Sequence, residues 1–308
     1  MNHLATEHLT IVIPFFKGQA YLRLAIESVL RQSSSEWLLV ICDDGPEPGT
    51  AELVASYADS RIRYLKNEKN LGMAGNWNRC LDEAGTDLVD LLHNDDELLP
   101  DYVETMLRAG REYPEAAAFF CSARIIDAKG RESFSFIDYA KSWLKPRVRG
   151  PLILQGMPAV QSLMHGNFIL CPTVCYRKSR LGRERFDSQW RFVLDLEFYT
   201  RQLLKGETIV GLPEVAYAYR RHGENATEAY TESLTRFEEE SQLHDQIARQ
   251  ARERGWSEMA RIAARKKVIR LHLLFRIARD LSRMRFRHAL RKWRFLRALL
   301  GEPKCCGA

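Results

Sequence analysis

Two pairs of adjacent aspartates are the residues of this 308-residue chain best suited to chemistry: Asp43-Asp44, followed by Gly45, and Asp95-Asp96, preceded by His93-Asn94. Neighbouring carboxylates repel each other, and capping a helix needs only one. Asp95-Asp96, shortly before Pro100, therefore reads as a ligand set for a hard divalent cation ahead of a simple cap. No His/Cys cluster with zinc spacing competes for the role. Asp44 has two readings, the turn residue of an Asp-Gly pair or an acceptor for hydrogen bonds from a base or ribose. Asn70 to Arg79 (NLGMAGNWNR) is a Gly/Asn loop running into a helix, whose start offers free N–H groups and positive dipole to an anion. Its spacing is neither that of the dinucleotide fingerprint nor that of the phosphate loop. Asp195 and Glu197 open a later helical stretch, where the dipole alone favours an acid.

The elements that must position these groups alternate. Leu9 to Phe15 (LTIVIPF) and Trp37 to Cys42 (WLLVIC) are continuous apolar runs and read as buried strands, as do Ile62 to Leu65, Asp87 to Leu92 and Ala117 to Cys121. Between them, helices are expected from Leu22, Ala25, Ile26, Val29 and Leu30, then over Thr50 to Tyr57, Met73 to Ala84 and Pro100 to Tyr113. Such alternation predicts an α/β fold with a mostly parallel sheet flanked by helices. Both acidic pairs then fall at the carboxyl edge of the sheet, where open parallel sheets bind ligands. After about residue 127 the alternation weakens: a hairpin turn at Asp127 to Gly130, a loop-rich stretch from Tyr139 to Pro158, a strand over Phe168 to Tyr176, a helix over Leu194 to Leu204, and a strand over Val215 to Tyr219. From Glu228 to Leu300 the pattern is helical.

Composition is that of an ordinary globular protein, 45% apolar and 28% charged, which excludes whole-chain disorder, collagen and a disulfide scaffold. No run approaches the ~20 apolar residues of a membrane span, and the start shows no basic lead or cleavage site of a signal peptide. Seven cysteines, an odd number, read as reduced thiols of a cytosolic protein. The charge is uneven. Residues 261–304 carry 15 Lys+Arg against Asp280 and Glu302, a charge of +13, while the rest of the chain sums to −7. Apolar and aromatic residues interleave with these basics, so the segment is either an amphipathic helix for an anionic membrane surface or a helix packed with a solvated basic face. No nucleic-acid recognition module accompanies the charge. Cys305-Cys306 are an acylation candidate or plain tail residues.

The motifs VIPFF (12–16), DDG (43–45), NLGMAGNWN (70–78), HNDDELLP (93–100), LDLEFYTR (194–201) and YRRHGEN (219–225) together resemble the family 2 glycosyltransferases of GT-A fold, in order and spacing, over about three-quarters of the chain. The resemblance implies a Rossmann-like GT-A domain over 1–227, with a nucleotide-sugar half (1–126) and an acceptor half (127–227), and a basic helical extension over 228–308. It implies that Pro14 and Phe15 line the base and ribose pocket, that Asp44 contacts the base, and that Asn70, Gly72 and Asn78 belong to the nucleotide loop and helix. Asp95 and Asp96 match the metal-binding motif for Mn²⁺ or Mg²⁺, with Asp96 the favoured direct ligand. Asp195 aligns with the catalytic base, and His222 with the histidine near the diphosphate. Three positions depart from the family: His93 stands where an aspartate is frequent, Trp77 where an arginine is common, and Leu194 where a glutamate usually precedes the base.

By that resemblance the chain moves a sugar from a nucleotide diphosphate sugar, UDP being the family's commonest nucleotide, to a glycan or lipid-linked acceptor hydroxyl with inversion. The setting expected is bacterial surface polysaccharide or lipopolysaccharide synthesis, in the cytoplasm or at the inner face of its membrane. Trp190, Phe192 and Phe198 read as an acceptor wall or as core, and His165 and Asn167 as acceptor-facing or as loop structure. Two alternatives are an inactive sugar-nucleotide-binding scaffold and a nucleotidyltransferase. The second needs a Gly-rich basic loop after the first strand, where Phe15-Phe16-Lys17-Gly18 offers only Lys17.

Overall fold

The computed structural model of the chain describes residues 8–134, 145, 146, 148–222 and 226–301; Cys305 and Cys306 lie outside them. Two compact units form, Met1–Leu163 with Asn167–Gly223, and Met164–Gly166 with Glu224–Ala308.

In the first unit the elements run β1 (Leu9–Phe15), α1 (Gln19–Leu30), β2 (Trp37–Asp43), α2 (Thr50–Ala55), β3 (Ile62–Lys66), α3 (Gly72–Glu83), β4 (Leu88–Leu91), β5 (Glu97–Leu98), α4 (Tyr102–Glu112), β6 (Ala116–Ile126), β7 (Leu152–Gln155), α5 (Gly156–His165), β8 (Val174–Arg177), α6 (Lys178–Leu181), α7 (Leu194–Leu204) and β9 (Thr208–Arg220). They build one sheet of order β3-β2-β1-β4-β8-β6-β9-β5, with β7 beside β9. Strands β3, β2, β1 and β4 are parallel neighbours, and β6 is parallel to β9. β8 is antiparallel to both β4 and β6 and so joins the two parallel sets. Strands buried on both faces must be apolar without alternation, which is why β1 reads as one run and is buried along nearly all of its length. The core gathers Leu9, Ile11, Ile13 and Phe15 of β1 with Leu22, Ile26 and Val29 of α1 and Tyr102, Val103 and Met106 of α4.

Three stretches differ from the sequence reading. The expected strand over 168–176 forms only from Val174, because Pro172 has no N–H for a ladder and sits in a 3-10 turn at Cys171–Thr173. The strand expected over 215–219 extends back to Thr208, held between β6 and β7. The end of the loop-rich stretch contains β7 and α5, whose short alternation of buried and exposed residues is overwritten by Pro and Gly in the sequence pattern.

Asp90 of β4 lies at full burial beneath the sheet edge, where the Tyr102 hydroxyl donates to its Oδ1 at 2.6 Å. Burial pushes its carboxyl up to about 8, against the Tyr102 hydrogen bond. An acid whose folded value lies above its unfolded one keeps its proton in the folded state while the unfolded chain loses it. Stability then falls as pH rises from about 4 to about 8 and is level beyond. Asp90→Asn is expected to remove that fall, so the variant gains on the parent as pH rises through this window; urea unfolding at several pH values measures the difference.

The second unit is helical: α8 (Ala226–Ser233), α9 (Thr235–Glu253), α10 (Ser257–Arg265), α11 (Lys267–Ser282) and α12 (Phe286–Gly301). Its own core packs Phe237 with Ile269, Leu273 and Ile277 of α11 and Ala289, Leu296 and Leu299 of α12. A buried Lys292–Asp280 pair at 2.7 Å clips α12 to α11. Arg276 of α11 pairs with Glu228 and Glu232 of α8. No helix among the described residues is long and apolar enough to cross a membrane.

Candidate active site

The chain leaves β4 and turns through His93–Asp96 into β5, which pairs antiparallel with β9 through Glu97↔Ala218 and Leu98↔Tyr217. That pairing brings Tyr217, Arg220 and His222 against the acidic turn. Asp96 is fully buried, and both its oxygens accept hydrogen bonds, Oδ1 from the Arg220 backbone N–H at 2.7 Å and Oδ2 from the Tyr217 hydroxyl at 3.1 Å. Burial first, then the Asp95 charge, holds the Asp96 carboxyl well above the usual carboxylate range. Asp95 is more open, its side chain 25% exposed, and its Oδ2 lies 2.9 Å from His222 Nε2. Burial works against its charge, but the hydrogen bond to His222 and the two nearby imidazoles outweigh this and hold the carboxyl below its ordinary range. The sequence reading favoured Asp96 as the direct ligand. In the structure Asp96 is held by two hydrogen bonds from the chain, and Asp95 is the more exposed of the two.

Arg220 is the group that sequence reasoning missed. Its side chain is 1% exposed, and Nε donates to the Asp95 carbonyl at 2.8 Å, one terminal nitrogen to the Asp127 carbonyl at 3.1 Å, and the other to Glu97. One guanidinium thus locks the acidic turn from behind. Its neighbour His222 stacks on Tyr21, with ring centroids 5.1 Å apart. The only trace in the sequence is its place in YRRHGEN.

His93 completes the turn. One ligand atom from each of His93, Asp95 and Asp96 lies within 4.8 Å of the others. His93 Nε2 is buried and has no hydrogen-bond partner among the described residues. Burial, opposed by the Asp95 charge, pushes the imidazole down. A buried polar atom without a partner is costly unless something outside the chain satisfies it, and a divalent cation fits this donor set. Trp77 packs on the same imidazole, centroids 5.5 Å apart, and edge-on against Phe186. Trp77 and His93, two of the positions singled out in the sequence, therefore form one aromatic contact at the acidic turn.

Asp44 shows how the loop into α3 is held. Its Oδ1 accepts from Asn67 Nδ2 and the Leu71 N–H, both at 2.7 Å, and its Oδ2 from the Gly72 N–H at 3.0 Å. A carboxylate has about four acceptor positions, so one remains, on Oδ2, for a donor from outside. Asn70 closes the same turn, donating to the Asp44 carbonyl and accepting from the Gly72 N–H. Gly72 has φ +71°, in the left-handed region that favours glycine. Gly45 is required for another reason: a Cβ there would sit 1.5 Å from the Phe16 carbonyl oxygen. Gly45→Ala must push apart the ends of β1 and β2, and is expected to cost about 3 kcal/mol or more in urea unfolding.

Two of the residues that the resemblance assigns to the nucleotide pocket are engaged by the chain itself. Phe15 is fully buried in the core; strand alternation puts Pro14 and the 47% exposed Phe16 on the opposite side. Asn78 spends both its polar atoms on the Phe186 backbone, donating to its carbonyl at 2.9 Å and accepting from its N–H at 2.8 Å. It clamps α3 to the loop before α7, with one N–H and one lone pair of the amide left over.

Asp195 stands in the first turn of α7, partly open, with Asn167 Nδ2 donating to its Oδ2 at 3.2 Å. Glu197, its rival, is buried and forked onto Arg201, with Nε at 2.7 Å. Phe198 belongs to an aromatic cluster with Tyr176 and Phe186 and is core. The Cys171 thiol is pushed well up by burial, then by the charge of Asp195, and also by that of Asp96.

Residues 10–155 match the family described as Glycosyl transferase family 2. An uncharacterized protein of Mycobacterium tuberculosis is 27% identical over 204 residues, covering 64% of this chain and 62% of that protein. The UDP-Glc:alpha-D-GlcNAc-diphosphoundecaprenol beta-1,3-glucosyltransferase WfgD of Escherichia coli is 31% identical over 99 residues, 32% of this chain and 39% of that one. S. aureus TarS 1-349 in complex with UDP-GlcNAc superposes with a TM-score of 0.61 at 18% identity, over 78% of this chain and 66% of that chain, a likeness of fold. The match spans less than two thirds of the length of each of these proteins.

Proposed function

We propose that this chain, which belongs to the family 2 glycosyltransferases, moves a sugar from a UDP-sugar to a hydroxyl of a glycan or lipid-linked glycan acceptor, with inversion at the anomeric carbon. The observation that carries this reading is the acidic turn, where His93, Asp95 and Asp96 each put one ligand atom within 4.8 Å of the others and the buried imidazole Nε2 has no hydrogen-bond partner among the described residues. The E. coli relative's name, with its diphosphoundecaprenol acceptor and UDP-glucose donor, supports the choice of donor and acceptor class. The setting that follows is bacterial cell-surface polysaccharide synthesis, and a lipid-linked acceptor puts the reaction at a membrane surface.

Asp95 and His93 would hold the divalent cation directly, with Asp96 behind them as the positioning group. A cation there supplies Lewis-acid stabilisation of the charge that develops on the departing diphosphate. The imidazole among the ligands favours Mn²⁺ over the harder Mg²⁺. His222, held by Asp95 and Tyr21, faces the same diphosphate. The remaining acceptor position of Asp44 takes a donor from the base or ribose, beside Pro14 and Phe16. Asp195 removes the proton of the acceptor hydroxyl as its oxygen attacks the anomeric carbon, and Asn167 fixes that carboxylate's orientation. One displacement with one base inverts configuration, and no side chain becomes covalently bound to sugar.

The test is turnover with a panel of UDP-sugars and water-soluble acceptors, with product configuration read by NMR. A β-linked product from an α-linked donor supports the reading. A retained configuration would overturn the role given to Asp195, and binding without turnover on any acceptor would favour a scaffold.

A further inference from the structure

We infer that the α11–α12 hairpin is a docking face for an anionic lipid bilayer. Nine of the seventeen large hydrophobic residues exposed among the described residues lie between 271 and 300. On α11 they fall at helical spacing, Leu271, Leu274, Phe275 and Leu281, opposite the buried stripe of Ile269, Leu273 and Ile277. On α12, Phe286, Leu290, Trp293 and Leu300 are exposed, and the turn between the helices exposes Met284. A helix needs one apolar face to pack, and both helices already bury one against the unit's own core. The second, outward stripes have no covering partner among the described residues.

Charge decides what covers them. The inward basic groups are neutralised within the unit: Arg276 by Glu228 and Glu232, Lys292 by Asp280. The outward ones are not. Arg283, Arg287, Arg294 and Arg297 are exposed and have no carboxylate partner among the described residues. Over α11 and α12 the only acid is Asp280, which is buried. Exposed leucines and aromatics set among unpaired arginines match a surface that is anionic at its headgroups and apolar just beneath, and a Trp suits the boundary. Bilayer and apolar stripe would meet at the depth an interfacial helix reaches, without a spanning segment. A membrane-bound enzyme meets a lipid-linked acceptor in two dimensions, but the docking face stands on its own observations and not on the acceptor.

The experiment uses the full chain with vesicles of phosphatidylcholine alone or doped with phosphatidylglycerol. Co-sedimentation and quenching of tryptophan fluorescence by brominated acyl chains are the readouts, and transfer to a water-soluble acceptor is followed in parallel. Binding is expected only with the anionic vesicles, and to weaken as salt rises. The triple variant Arg287→Gln, Arg294→Gln, Arg297→Gln is expected to lower partitioning by at least about tenfold, since each basic residue near an anionic surface contributes. Trp293→Phe removes most of the quenching. Leu274→Ser with Phe275→Ser weakens binding at every salt concentration, and all these surface variants keep their far-UV circular dichroism and their transfer to the soluble acceptor. No sedimentation with anionic vesicles, or binding indifferent to the arginines, would overturn the inference. So would a dimer in solution that dissociates on Leu274→Ser with Phe275→Ser, which would assign the face to a second copy of the chain.

Discussion

Asp195→Asn lowers turnover by ~10²–10⁴-fold, the usual contribution of a general base, and leaves donor affinity where it was. The amide keeps the volume of the carboxylate and can still accept from Asn167 Nδ2, so fold and local packing stay in place. What is lost is the ability to take a proton from the acceptor. Glu197 cannot stand in for it, because it is buried and both its oxygens are forked onto Arg201. Steady-state kinetics with a fixed acceptor, beside calorimetric titration of the donor, separates the two effects. Turnover above about a tenth of the parent's would remove Asp195 from the mechanism.

Arg220→Met lowers the stability of the first unit by ~3–5 kcal/mol, the range for removing one member of a buried ion pair. The guanidinium is 1% exposed and serves Glu97 and the carbonyls of Asp95 and Asp127 at once. Its loss leaves Glu97 with only the exposed Arg31, at 3.3 Å, and two carbonyls without their donor at the acidic turn. Arg220→Lys rescues little, since a single ammonium cannot reproduce a fork that reaches three acceptors. The same variants are expected to weaken Mn²⁺ binding, because the turn that presents Asp95 and His93 loses its backing. Urea unfolding and metal titration read the two consequences. A loss under about 1 kcal/mol would mean that the clamp is solvated and replaceable.

The carboxyl edge of the sheet was legible because it rests on patterns of long reach. β1, β2 and β4 are buried on both faces and so read as unbroken apolar runs, and the polar residues that follow them must lie at their ends. What the sequence hides is phase and partnership. Phe15 and Phe16 are adjacent aromatics, and only the observed pleat of β1 sends the first into the core and the second outward. Asn78 has the composition of a ligand-binding residue, yet its partner is a backbone 108 positions away. Asp96 looks equivalent to Asp95 until β9 delivers the Arg220 N–H and the Tyr217 hydroxyl to it. Arg220 could have been found by asking what neutralises two adjacent acids beside a buried strand. His93 could not, because an imidazole announces its missing partner only when its surroundings are known.

Titration of UDP-sugars into the full chain by calorimetry, in Mn²⁺, in Mg²⁺ and in chelator, addresses the central claim most directly. Saturable binding of a UDP-sugar is predicted with Mn²⁺, weaker with Mg²⁺ and lost in chelator. It should also be lost on Asp95→Ala, weakened under Mn²⁺ on His93→Ala, and kept on Asp195→Asn. If no nucleotide sugar binds under any cation, or if binding is the same in chelator and after Asp95→Ala, the acidic turn is not the donor site and the account fails.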